Sequence, residues 1–155
     1  MAQIAKISEK VQLKSSGKRF YQFFKNKMDY FPRMFPGNVE SYKFVEGNSF
    51  THGSVSVWKY DFGFGSSVEV KVKLLVDEPN KTIIYECLEG DLFKDFEMFN
   101  VKIEVNDGGN NGNSSVNWCV EFVKANENVA PPNSYLQFGV KICKDVDAHL
   151  CKQLN

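Results

Sequence analysis

The sequence predicts an α+β fold: one antiparallel sheet covered by a long helix at the end of the chain. Three observations carry this. Apolar and polar residues alternate through six successive segments between residues 39 and 122. A further alternating segment, residues 4–13, precedes them, and a helical apolar stripe runs through residues 132–152. Period-two alternation marks strands with one buried face, and consecutive strands joined by short turns pair antiparallel. Their common apolar face then needs a cover, which the terminal helix supplies.

The elements follow in order. In residues 4–13, Ile7, Val11 and Leu13 fall on one face. Ser15 and Ser16 open a helix whose Phe20, Phe23 and Phe24 recur at helical spacing. Asp29 to Met34 reads as a second short helix, broken by Pro32 and closed by Pro36-Gly37. The six strands then begin with Val39 to Val45 and Gly53 to Phe62, where Trp58, Tyr60 and Phe62 share a face. Val68, Val70, Val72 and Leu74 alternate with Glu69, Lys71 and Lys73, and Asp77-Glu78-Pro79-Asn80 makes a turn. Thr82 to Leu88 follows, then Phe99 to Val105, and Val116 to Phe122 is the last strand. Between the last two, residues 107–112 read as a mobile hairpin loop. Pro131-Pro132-Asn133-Ser134 opens the final helix, striped by Tyr135, Phe138, Ile142, Val146 and Leu150.

Composition narrows the function. A chain of 155 residues, 43% hydrophobic and 25% charged, suits one soluble domain spanning residues 1–155. Nineteen basic residues balance nineteen acidic ones. Such a chain has no general attraction for nucleic-acid phosphates or anionic membranes. No run has the length of a membrane span, and the start lacks the pattern of a secretory signal, so the expected compartment is the cytoplasm. In that reducing setting Cys87, Cys119, Cys143 and Cys151 are expected as free thiols. No metal-ligand spacing, Ser-His-Asp pattern or phosphate loop occurs, and no cofactor is implied.

Several motifs point to a family. Leu88-Glu89-Gly90-Asp91-Leu92-Phe93-Lys94-Asp95-Phe96 resembles the "EGDLxKxY/F" segment of major latex proteins. His52-Gly53-Ser54-Val55 with Trp58 and Tyr60 is similar to their "HGS(V/I)xxWxY" strand. Glu121-Phe122-Val123-Lys124 with Pro131-Pro132, and the helix end Lys144 to Leu150, match in the same order. The chain therefore resembles the major latex, or ripening-related, branch of the Bet v I (START-like) superfamily over essentially its whole length. One departure is Ser49, with Phe50 beside it, where the branch commonly has a Trp before "HGS".

The resemblance implies a curved seven-stranded antiparallel sheet wrapped around the C-terminal helix, with two short helices. It also implies a cavity of several hundred Å³ between sheet and helix, the size range of ordinary ligand sites. Trp58, Tyr60, Tyr85, Phe99, Val101, Trp118, Tyr135, Phe138 and Ile142 are the candidates to line it. Periodicity alone favours a solid core built from these residues, and the resemblance reverses that preference. The partner implied is a small hydrophobic plant metabolite, carried or sensed in defence or specialised metabolism. The rival is a cofactor-independent cyclase or isomerase of a reactive terpenoid, iridoid or alkaloid intermediate. For that chemistry His52, placed before a strand near the expected rim, is the candidate proton donor, against a structural role in its loop. His149, near the helix end where a cation would complement the dipole, is expected to have a capping or surface role.

Overall fold

A computed structural model describes residues 3–108 and 113–152. Strand β1 (Ala5–Gln12) leads into α1 (Gly17–Asn26), a single 3-10 turn (Met28–Tyr30) and α2 (Phe31–Met34). Strands β2 (Val39–Glu46), β3 (Val55–Tyr60), β4 (Val68–Asp77) and β5 (Thr82–Gly90) follow. A 3-10 turn at Asp91–Lys94 precedes β6 (Phe96–Asn106) and β7 (Ser115–Lys124), and α3 (Asn133–Lys152) ends the described chain. The seven strands form one sheet in the order β1-β7-β6-β5-β4-β3-β2, and every neighbouring pair is antiparallel. The α+β fold with its seven-stranded sheet and long terminal helix is as the sequence indicated. Of the expected loop 107–112, residues 109–112 lie outside the described residues. No described helix is long and apolar enough to cross a membrane.

Two expectations need correction at the level of local structure. Pro32 does not break the second short helix; it sits in that helix's first turn. There the missing N–H has no intrahelical partner to lose, so proline is tolerated. Strand β6 begins at Phe96, earlier than alternation suggested, because a bulge lies between Phe96 and Met98. The extra residue lets Phe96 and Phe99, three apart, both face inward. Further register shifts occur in the β2–β3 and β4–β5 pairs, and such bulges bend their strands and help curve the sheet.

Two contacts seat α3 on the sheet. Opposite Gly139 lies the indole of Trp118, and a Cβ at position 139 would overlap Trp118 Cε2. A glycine inside a helix costs roughly 0.5–1 kcal/mol relative to alanine, so its use here reflects the close approach. Nearer the helix end, the Asp147 carboxylate is buried and takes up the β1–α1 turn. It accepts from Lys14 N at 2.9 and 3.1 Å, from Ser15 N at 2.9 Å and from Ser15 Oγ at 2.5 Å. Ser16 caps α1 by accepting from Arg19 N at 3.1 Å. The α1 helix then buries Phe20, Tyr21, Phe23 and Phe24 in the core.

These contacts set two expectations for urea unfolding. Gly139→Ala forces the helix or the indole to move and should destabilise by about 1–3 kcal/mol, although alanine is the better helix former. Asp147→Ala strands three donors and should cost about 3 kcal/mol. An unchanged unfolding midpoint in either variant would contradict the corresponding contact.

Candidate functional site

Between the inner face of the sheet and α3 lies a cavity of about 110 Å³. Its walls come from every layer of the fold. The segment around α2 supplies Met28 and Phe31, and the start of β2 supplies Val39. The sheet supplies Trp58, Tyr60, Phe62, Val72, Tyr85, Cys87, Phe99, Val101 and Trp118, and α3 supplies Tyr135 and Ile142. The volume corrects the expectation of several hundred Å³. Aromatic rings occupy much of the space between sheet and helix: Phe62 stacks on Phe138 at 4.3 Å, and Tyr135 meets Phe99 at 4.7 Å and Phe62 at 5.6 Å.

Eight of the nine side chains proposed from sequence face this cavity; Phe138 is not among its lining residues. The helical repeat explains the difference. Tyr135 and Ile142 are seven residues apart and point nearly the same way, whereas three residues turn Phe138 about 60° aside. Phe138 packs instead between Phe62 and Phe35, its ring 5.6 Å from that of Phe35. It supports the wall from behind.

The polar groups of the cavity are few and neutral. Tyr60 and Tyr135 share a hydrogen bond of 2.6 Å between their hydroxyls. Burial first, and then the neighbouring phenol, hold the Tyr60 hydroxyl well above its ordinary pKa, and burial also raises that of Tyr135. The Trp58 indole donates to Ser56 Oγ at 2.9 Å. The Trp118 Nε1–H is buried without a partner among the described residues, under the helix at Gly139. Tyr85 and Cys87 lie deep in the protein yet keep some accessible surface, as expected of groups facing an internal space. Burial, with help from Glu86, pushes the Cys87 thiol up to about 12. No Lys, Arg, His, Asp or Glu lines the cavity.

His52 is not brought to this wall. It is exposed, and its Nδ1 accepts from Val76 N at 2.9 Å, tying the β2–β3 loop to β4. His149 is half-buried, with its ring 5.7 Å from that of Phe23.

A surface groove at the start of α3, lined in part by Phe64, Leu92 and Pro132, shares Tyr135 with the cavity. Tyr135 therefore belongs to both spaces. The turn after β3 brings the neighbouring rings into place: Asp61 Oδ1 accepts from Gly63 N at 3.0 Å and Phe64 N at 2.7 Å. Gly63 has φ +102° in that turn, a conformation glycine adopts without strain.

This combination of an antiparallel sheet and a covering helix has known counterparts. The family model of the pathogenesis-related protein Bet v 1 family matches residues 2–153. The chain belongs to the Bet v 1 family. MLP-like protein 34 of Arabidopsis thaliana is 33% identical over 93% of this chain, which spans only 46% of that relative's length. MLP-like protein 43 of the same plant is 30% identical, with 95% of this chain and 93% of the relative covered. The crystal structure of ginseng major latex-like protein 151 from Panax ginseng superposes with a TM-score of 0.84 at 28% identity, covering 94% and 97% of the two chains. These relatives are major latex and MLP-like proteins, which this chain resembles in sequence as well as in fold.

The departure from the branch's motif has a structural counterpart. Phe50, next to Ser49, packs on Tyr42 at 5.0 Å, Phe44 at 4.7 Å and Trp58 at 5.6 Å. An aromatic ring thus backs Trp58 from the loop although the tryptophan is absent. Six lining residues are not among those expected from the sequence: Met28, Phe31, Val39, Phe62, Val72 and Cys87. Alternation carries a signal for three of them, since Phe62, Val72 and Cys87 lie two residues from inward-facing neighbours. Met28 and Phe31 carry no such signal, because their direction depends on how the short helices dock.

The thiols give a direct check on the cavity's seclusion. All four cysteines are free, with Cys119 and Cys143 buried and Cys87 and Cys151 partly accessible. Burial holds the Cys87 thiol in its protonated, unreactive form near neutral pH. A disulfide reagent should therefore modify Cys151 alone quickly in the native protein, and all four thiols after unfolding. Fast reaction of Cys87 in the native protein would show the cavity to be more open.

Proposed function

We propose that residues 1–155 act as one unit in the cytoplasm of a plant cell and bind a small, mostly apolar metabolite beneath α3, as a carrier or sensor. The observation that carries this reading is the cavity, whose wall is built from aromatic and aliphatic side chains with only neutral polar groups. An apolar molecule placed there exchanges contact with water for contact with rings, worth roughly 25 cal/mol per Å² of surface buried. The equal numbers of basic and acidic residues favour no nucleic-acid partner, and the four free thiols suit a reducing compartment.

Retention is favoured over conversion by the same wall. Proton transfer at neutral pH needs a group that exchanges a proton there. The phenols and the thiol that face the cavity all hold their protons more tightly than usual. His52, the sequence's candidate donor, is engaged with β4 instead.

The test is incubation with a panel of plant metabolites, followed by mass spectrometry for both retained and converted compound. Trp58 and Trp118 line the cavity and provide a fluorescence signal for occupancy. Retention of unchanged compound supports the carrier; more than one turnover per protein would reject it in favour of an enzyme. Val101→Phe fills the cavity and should weaken the retained compound at least tenfold. His52→Ala, at an exposed site, should alter affinity by no more than about twofold.

A further inference from the structure

The hydroxyl pair at the end of the cavity narrows the ligand class. Two phenols carry two O–H donors, and the bond between Tyr60 and Tyr135 uses one of them. Neither hydroxyl has another hydrogen-bond partner among the described residues. One O–H therefore remains free to donate, in a wall that is otherwise nearly all apolar. From this geometry we infer that the cavity takes a neutral, single-ring-sized molecule bearing one acceptor oxygen, a ketone, aldehyde or ether, whose oxygen is held by the Tyr60–Tyr135 pair. The inference rests on the cavity-binding reading above and adds the ligand's size, charge and anchoring atom.

Each part follows from a separate observation. Size comes from the volume of about 110 Å³. An apolar protein cavity of about 150 Å³ admits benzene; at about 110 Å³ a single ring enters as the lining side chains shift outward, and a fused polycycle does not fit. Charge comes from the lining: no cationic side chain is present to neutralise a buried carboxylate, and no carboxylate to neutralise an ammonium. The anchor comes from position. Tyr60 is 6% exposed, and Tyr135 stands between the cavity and the groove at the start of α3. The other indole and phenol donors do not compete: Trp58 is bonded to Ser56, Trp118 Nε1 is covered by the helix, and the Tyr85 hydroxyl lies 3.7 Å from Met28 Sδ as a donor to sulfur.

Four probes test this by calorimetry on the intact protein: isopropylbenzene, acetophenone, benzoate and progesterone. The first two have nearly the same shape and differ in the acceptor oxygen. Acetophenone should bind about five- to tenfold more tightly than isopropylbenzene, the advantage of one neutral hydrogen bond. Benzoate and progesterone should show no measurable binding. Tyr60→Phe and Tyr135→Phe each leave one hydroxyl and should keep the preference for acetophenone. The double variant should erase it while retaining isopropylbenzene. Equal binding of the first two probes by the wild type would overturn the inference, with the cavity reading intact. So would benzoate or progesterone binding as tightly as acetophenone, or an undiminished preference in the folded double variant. Failure of all four probes to bind would instead remove the cavity reading, and this inference with it. Should the double variant not fold, the four wild-type affinities still decide.

Discussion

A glycine against an indole sets the distance between α3 and the sheet, and the geometry of the site follows from that distance. Any side chain at position 139 would enter the space of the Trp118 ring. The helix can therefore lie close to β7 at its middle, where the ring is, without losing its hydrogen bonds. Asp147 then fixes the same helix to the turn between β1 and α1. This second anchor joins the first strand, the first helix and the last helix, elements far apart in the chain. With both in place, the residues of α3 that face the sheet have settled positions, and the space left over becomes a cavity of defined size.

That space is small because the sheet answers the helix with rings. Phe62, Phe99 and Tyr60 approach Tyr135 and Phe138, and the pile extends outward through Phe64. Aromatic side chains fill volume with few rotatable bonds, so they leave a stiff wall. A cavity bounded by stiff rings discriminates by shape more sharply than one bounded by flexible aliphatic chains. The same rings carry the few polar atoms, and their seclusion keeps those atoms neutral.

Neutrality and seclusion have one cause and two consequences. Removal from water disfavours the charged form of every phenol and thiol that faces the space. It makes the site welcoming to uncharged molecules, and it withholds the proton exchange that acid–base catalysis requires. The proposed retention without conversion rests on that one dielectric environment. Membership of the Bet v 1 family is consistent with a scaffold in which the sheet and helix are retained while the lining sets the ligand.

Local information in the chain is enough for the strands, the terminal helix and most of the cavity wall. Side-chain direction in a strand follows from a period of two, so alternation alone assigns Trp58, Tyr60, Tyr85, Phe99, Val101 and Trp118 to one face. Residues whose role depends on two elements meeting are not legible in this way. Phe138 shares a helical stripe with Tyr135, yet it packs on Phe62 and Phe35, a meeting of three separate segments that the period of the helix does not describe. His52 has the residue type of a proton donor and is a tether because Val76 N lies within 2.9 Å. Asp147 reads as one more charge on a helix, and Gly139 as a weak point in it; their partners are more than a hundred residues away, or across the sheet interface. Which residues face inward is thus written in the order of side chains along the chain. How much room they leave is settled only when the elements pack, because volume is the difference between the space enclosed by the backbone and the side chains filling it, and that difference depends on every packing distance at once.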